Sequence, residues 1–410
     1  MGNDTELRRT GLFPRHQALG AQLAPFAGWE MPLWYRSGAI REHLAVIQAA
    51  GLFDTSHMDV FFVEGRGSLD FLNYAFTRDL SRIRPGRAIY GAFLGSNGHT
   101  VDDAILYPRL EDRFAVVVNA GMAPVVMAHL RELPGSGQVS LREPEPRYGK
   151  LDLQGPAAAS ILRKILPGAE QLFADLPYFA FRGDFILPGS RIRLEDGTPA
   201  ILSRTGYTGE LGFEIFLSPD RLGAVWDRLL ELGKPDGLIP CGLAARDSLR
   251  VGALLPLSHQ DIGDWPYVNH PWLFALPLRG DGTFSFRKDF CGAAALRPEE
   301  NPHTLAFAGF DQRRVDPHEA KVLLEGTEIG SILSIVTEMG IGRIGADIVG
   351  LASPNRPEGW TPRGLACGFV KVNRPLPAGS RPLLRDARRE IEVEIVGSIR
   401  PNRTAARRLS

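Results

Sequence analysis

The segment 97–107, NGHTVDDAILY, limits what the chain can fold into more than any other. Asn97-Gly98 tolerates positive φ and so turns a hairpin. The run 101–107 after it reads as a strand, whose side chains alternate between faces. Val101, Asp103, Ile105 and Tyr107 share one face; Thr100, Asp102, Ala104 and Leu106 share the other. Each face carries one carboxylate in a mostly apolar row. Two readings stand open. Either this is a solvated hairpin end with two surface aspartates, or a buried strand whose carboxylates need a donor or ligand, since an unpaired buried charge is costly.

The surrounding chain supports a mixed α+β fold. Residues 12–23 read as a short helix, and 25–38 (PFAGWEMPLWYRSG), aromatic-rich and broken by Pro and Gly, as an irregular buried loop or pocket wall. Segment 41–50 has helical spacing at His43, Leu44, Ile47 and Ala50, with Gly51 expected as its C-cap. Residues 52–65 read as one strand entered through a polar turn, 68–77 as a helix, 87–94 and 114–120 as strands, and 123–132 as a helix. Strand, helix and then hairpin-linked strands is an α+β pattern, not a βαβ repeat. A glycine-punctuated loop at 203–217 runs into a strand, and 220–231 is strongly amphipathic through Leu222, Val225, Trp226, Leu229 and Leu230. From 301 onward short strands between Gly/Pro turns predict a small all-β, barrel-like unit, with 345–364 as a long surface excursion.

Composition excludes several classes. Lys plus Arg (47) equals Asp plus Glu (47), which gives no electrostatic footprint for nucleic acid or membrane. Cys241, Cys291 and Cys367 fit neither a CxxC metal site nor a disulfide framework, and the start MGNDTELRRTG lacks the apolar core of a secretory signal. With no 18-residue apolar run, the expectation is a cytoplasmic protein with no membrane span. GxxxxGK[ST], a strand-borne GxGxxG, HExxH and GxSxG are all missing, and the histidines show no metal-ligand spacing, so no metal is expected. Isolated histidines such as His57 and His259 read as structural.

Taken together, several blocks resemble the aminomethyltransferase (glycine cleavage T-protein) family. They are LFPRHQALGAQLAPFAGWEMPLWY (12–35), GLFDTSHM (51–58), GRAIY (86–90), NGHTVDDAILY, VVNA (117–120), LQGP (153–156), SRTGYTGELGFEI (203–215) and GLAARDSLR (242–250), in the family's order. The resemblance implies a three-domain cloverleaf around a central folate channel. Its parts would be a discontinuous first domain (1–59 plus 144–258), a second domain carrying the Asp103 strand (60–143), a connector (259–300) and a C-terminal β-barrel domain (301–410). It implies tetrahydrofolate as co-substrate and a lipoylated carrier protein as partner. The family reaction moves the methylene of an aminomethyl-lipoyl arm to tetrahydrofolate and releases ammonia.

Residue by residue, Asp103 matches the carboxylate that orients the folate nitrogen, accepts its proton and stabilises a cationic iminium-like species. Asp102, on the opposite strand face, is not paired with it as a dyad. Glu214 matches the carboxylate that reads the pterin edge, with geometry suited to bidentate pairing. Tyr207 and Arg246 match folate-contacting positions. Tyr90, Asn119 and Met58 match channel walls, and Tyr107, sharing the Asp103 face, is expected as a further wall residue. Beyond Arg250 the likeness thins. Gln260-Asp261 survive in RVGALLPLSHQDIG, but Ser258-His259 replace the family's usual pair, and 264–278 (DWPYVNHPWLFALPL) and 332–364 diverge. Two alternatives therefore accompany the aminomethyltransferase reading. One is another folate-dependent one-carbon enzyme on this scaffold, such as a demethylase passing a methyl group to tetrahydrofolate. The other is a non-catalytic folate-binding protein.

Overall fold

The Asn97-Gly98 signal folds as a hairpin. In the computed structural model, which describes residues 6–409 except 111, 187–188, 281–283, 298–300 and 355, Gly98 takes φ +78°. The first five residues of the start read above lie outside the described residues. The Asn97 side chain accepts the His99 N–H at 3.1 Å. The turn joins Ile89–Leu94 to Thr100–Leu110, and Arg113–Val118, Asp59–Glu64 and Ser140–Arg142 complete a five-stranded antiparallel sheet in that order. The expected alternation holds from Asp103 to Tyr107; Val101, next to a register shift between Phe93 and Leu94, instead packs against the core that takes Ala104 and Leu106. Ala104 and Leu106 enter a core with Phe71, Leu72, Val126 and Leu130 from the helices Ser68–Ala75 and Ala123–Glu132. Asp103 and Ile105 face a cavity on the other side.

A six-stranded sheet has the order Phe181–Arg182, Ala200–Ser203, Gly212–Leu217, Gly149–Gln154, Ala50–Asp54, Leu238–Pro240. The chain leaves it after Asp54, runs through the five-stranded sheet, and returns at Gly149. The amphipathic helix Pro219–Gly233 buries Leu222, Val225, Trp226 and Leu229 against Leu151, Leu153, Phe213 and Ile215. The C-terminal strands form a closed six-stranded barrel, sealed where His303–Gly309 pairs with Glu390–Ile395. Closure removes the exposed edges that an open sheet of such short strands would leave.

Three local expectations are corrected. The 25–38 stretch holds most of a β-hairpin, Gln22–Phe26 against Trp29–Trp34. Its tip is Ala27-Gly28, both at positive φ (47° and 80°), a two-residue turn that Ala does not advertise. Segment 52–65 is two strands in two different sheets, Ala50–Asp54 and Asp59–Glu64. Gly51 lies inside the first of these, not at a helix end. A Cβ there would fall 2.5 Å from Val46 Cγ2 and 2.6 Å from Cys241 Sγ, so close packing selects it. The 345–364 excursion is in part a hairpin, Ile341–Ile344 with Asp347–Gly350.

One buried ionic network ties the barrel to the rest. Glu338, at the end of the barrel strand Thr327–Glu338, accepts from His43 Nε2 at 2.5 Å and from Arg400. His43 lies on the helix Ala39–Gln48. Arg400 also reaches Glu210 at 3.1 Å and the Thr208 carbonyl. Burial would raise the Glu338 carboxyl, but Arg400 and His43 outweigh it and hold the group at about 2. Removing one member leaves a buried charge without its partner. We expect Glu338→Ala to lower unfolding free energy by about 3–5 kcal/mol, read as a lower urea midpoint at neutral pH; a change below about 1 kcal/mol would rule out this network as the tie.

Candidate active site

The cavity has a volume of 1190 Å³ and is walled by Asp103 and Asn119 from the five-stranded sheet and its edge, Glu214 from the six-stranded sheet, Val336 and Thr337 from the barrel, and Phe26 and Trp34 from the 22–34 hairpin. Single small-ligand sites usually occupy about 300–1,000 Å³. This one exceeds that range.

At one end lies the aspartate pair. Asp103 Oδ2 accepts the Tyr90 hydroxyl at 2.8 Å, and Asp103 Oδ1 accepts Asn119 Nδ2 at 2.6 Å. The same Nδ2 donates to Asp102 Oδ1 at 2.8 Å, and the Asn119 backbone N–H to Asp102 Oδ2 at 3.1 Å. Asp102, on the opposite face, is fully buried. The surface reading of these aspartates is thereby excluded, and Asn119 supplies the donor that burial demands. The Asp103 carboxyl is pushed up to about 6, chiefly by its depth in the molecule and then by the Asp102 charge, against the hydrogen bonds from Tyr90 and Asn119. Such a group is mostly ionised at neutral pH yet basic enough to take a proton.

At the other end Glu214 is held on both oxygens. Lys150 Nζ donates to Oε1, while Thr205 and, at 3.3 Å, Tyr107 donate to Oε2. Lys150 also donates to Asp152 at 2.6 Å, and Arg246 Nη1 donates to the other Asp152 oxygen at 3.0 Å. Burial would raise the Asp152 carboxyl, but Lys150 and Arg246 outweigh it and hold it below the ordinary range. The Arg246 guanidinium lies 4.6 Å over the Tyr207 ring, whose hydroxyl donates to the Pro256 carbonyl. Gly206 is required here because a Cβ would fall 2.1 Å from the Gln154 amide. Thus cation, ring and carboxylate form one rigid end wall.

Tyr90, Asn119, Met58, Tyr207, Glu214 and Arg246 all reach the cavity together with Asp103. Tyr107 does not. It is fully buried among Phe181, Phe185 and Phe216, and serves the site only by donating to Glu214. Sharing a strand face with Asp103 was not enough, because Tyr107 lies four residues along, where the two sheets pack together.

Sequence reasoning missed Lys150 and Asp152. They alternate with Leu151 and Leu153, which reads as a solvated strand face, yet both are buried. The register sets Asp152 opposite Glu214, and Lys150 lies between the two carboxylates. His57 was also read as structural. It lines the cavity with a buried Nδ1 that has no hydrogen-bond partner among the described residues, and its imidazole is pushed down to about 4 by burial and then by the Arg246 charge. Among the described residues no group of His, Cys, Asp and Glu could hold a metal ion, and no helix is long and apolar enough to cross a membrane. The three cysteines are free and buried.

The family description "GCVT N-terminal domain" matches residues 12–265, the stretch that supplies Asp103, Asn119, Glu214 and Arg246. Aminomethyltransferases are similar over most of the chain. That of Symbiobacterium thermophilum is 41% identical over 334 residues, covering 80% of this chain and 84% of its own. That of Desulfitobacterium hafniense strain DSM 10664 / DCB-2 is 38% identical over 336 residues, covering 80% and 86%. The crystal structure of glycine cleavage system aminomethyltransferase T from Bartonella henselae superposes with a TM-score of 0.77 at 26% identity, covering 99% of this chain and 100% of that one. With most of its cavity wall drawn from the matched stretch and its fold shared from end to end, the chain belongs to the aminomethyltransferase (GCVT) family.

Proposed function

We propose that the protein is a tetrahydrofolate-dependent aminomethyltransferase that moves the methylene of an aminomethyl-lipoyl carrier protein to tetrahydrofolate, releasing ammonia and leaving the carrier's dihydrolipoyl arm. The observation that carries this reading is Asp103, a carboxylate that faces the cavity and is pushed up to about 6. The wall chemistry suits a reduced pterin. Met58, Ile105 and Val117 offer apolar faces, and His57 Nδ1 is a buried polar atom without a partner among the described residues. A carboxylate has about four acceptor sites. Three on Glu214 are taken by Lys150, Thr205 and Tyr107, which leaves Oε1 able to accept from a ring N–H.

When bound, tetrahydrofolate would supply the nucleophilic nitrogens that receive the methylene. Asp103 orients the attacking nitrogen, accepts its proton and offsets positive charge as ammonia leaves. Tyr90 and Asn119 each hold one Asp103 oxygen, so the carboxylate need not reorganise during transfer. Arg246, fixed by Asp152, and Tyr207, fixed by the Pro256 carbonyl, would contact the folate from the cavity wall. A cloverleaf of three domains enclosing the folate, divided as the resemblance implies, belongs to the same proposal. So does the carrier: Trp34 and Ile40, 40% and 58% exposed, give the cavity rim an apolar landing for a lipoyl arm.

A second reading, a methyl transferase from a simple methylated donor, is favoured by one observation. Phe274, from the divergent 264–278 stretch, lines the cavity 5.8 Å from the Tyr90 ring. The deciding experiment offers the purified protein tetrahydrofolate with an aminomethyl-lipoyl carrier and, in parallel, simple methyl donors. Ammonia with methylenetetrahydrofolate supports the first reading; methyltetrahydrofolate supports the second; folate binding without either product leaves a binding protein.

The mechanism makes three further predictions. Asp103→Asn keeps the shape but not the charge, so kcat should fall by about a hundredfold or more while folate affinity by calorimetry stays within about threefold. In the wild type, kcat/KM should rise with pH through about 6 and level off above it, because only the ionised Asp103 accepts a proton. A flat profile from pH 5 to 8 would remove Asp103 from the proton transfer. Glu214→Gln should instead weaken tetrahydrofolate binding by about tenfold or more; wild-type affinity would exclude its pterin role.

A further inference from the structure

His259 stands on the cavity wall beside the aspartate pair. Its backbone is left-handed, φ +62°, which is unfavourable for a residue with a Cβ. The loop around it enforces that conformation. Asp261 accepts the Leu257 N–H at 3.0 Å and is paired with Arg250, and Gln260 Nε2 donates to the Leu333 carbonyl at 2.9 Å. The result is an imidazole half exposed to the cavity, with Nε2 3.5 Å from the buried Oδ1 of Asp102. Asn119 Nδ2 links that same oxygen to Asp103. Imidazole, Asp102, Asn119 and Asp103 are therefore consecutive members of one polar chain that ends at the proposed transfer site.

The neighbouring charges leave this place to His259. Asp102 and Asp103 face it from the Thr100–Leu110 strand. Arg250, on the same wall, is taken up by Asp247 at 2.7 Å and by Asp261. His99 is paired with Asp264 at 2.7 Å, and from the barrel Arg314 also lines the cavity. Contact with Asp102 shifts the imidazole toward its charged form against partial burial. Two adjacent ionised carboxylates repel each other, and a cation beside one lowers the cost of ionising the other.

We propose that His259 is a positioning residue: its imidazolium pairs with Asp102 and so sets the orientation and charge that Asn119 and Asp103 present to the cavity. This rests on the reading of Asp103 as the transfer carboxylate. His259 does not touch the reacting atoms; it acts through Asp102.

The test uses the full-length protein. His259→Asn keeps a residue that tolerates the left-handed backbone but removes the cation. Histidine-labelled protein is titrated by NMR, with the variant assigning the His259 signal. In the wild type it should titrate above the usual value of about 6.5, and in Asp102→Asn it should fall back to that value or below. In His259→Asn the acidic limb of kcat/KM should move to higher pH. A loss of about tenfold on the acid side, one pH unit's worth, should shrink toward high pH. An imidazole indifferent to Asp102→Asn, or an equal loss at every pH, overturns the proposal. The titration is read without turnover, so its result does not depend on whether the functional reading stands.

Discussion

A single carboxamide allows two adjacent aspartates to occupy opposite faces of one strand inside the protein. Asn119 donates through its side chain to both Asp102 and Asp103 and through its backbone to Asp102. Without those donors Asp102 would lose both of its hydrogen bonds and Asp103 would keep only the one from Tyr90, beside the buried apolar neighbours Ala104 and Leu106. The arrangement also divides labour. Asp102 is turned away from the cavity lining, whereas Asp103 is presented to the cavity.

The opposite end of the cavity follows the same logic with charge in place of amides. Asp152 and Glu214 oppose each other across neighbouring strands, a juxtaposition that like charges disfavour. Lys150 donates to both, and Arg246 takes the remaining Asp152 oxygen. Breaking a buried pair costs more than forming it gains. Such networks therefore fix geometry more than they add stability. The Glu338–Arg400–His43 cluster does this between the barrel and the body of the protein, and the cavity is walled on one side by the same barrel strand.

Much of this was legible in residue order. The hairpin at Asn97-Gly98, the period-2 strand after it, the amphipathic helix carrying Trp226 and the short barrel strands each announce themselves through local spacing. So do Asp103, Glu214 and Arg246, through the blocks in which they stand. Local spacing failed where one residue's role depended on distant atoms. Ala27 takes a left-handed turn conformation that its type rarely adopts, and Gly51 is selected by Val46 and Cys241 rather than by a helix end. Lys150 and Asp152 look solvated until the sheet register sets them against Glu214.

The sequence by itself determined which elements form and which chemical groups are available, because turn preference, face alternation and amphipathic period are properties of neighbours in the chain. Only the tertiary structure decided which of those groups face the cavity. Tyr107 and Asp103 share one strand face, yet one is sealed into the seam between sheets and the other is presented to the cavity. His259 reads as an isolated histidine until a loop more than 150 residues further along brings it to Asp102. The physical reason is the same in both cases: burial and charge pairing are set by what packs from elsewhere, and no local pattern carries that information.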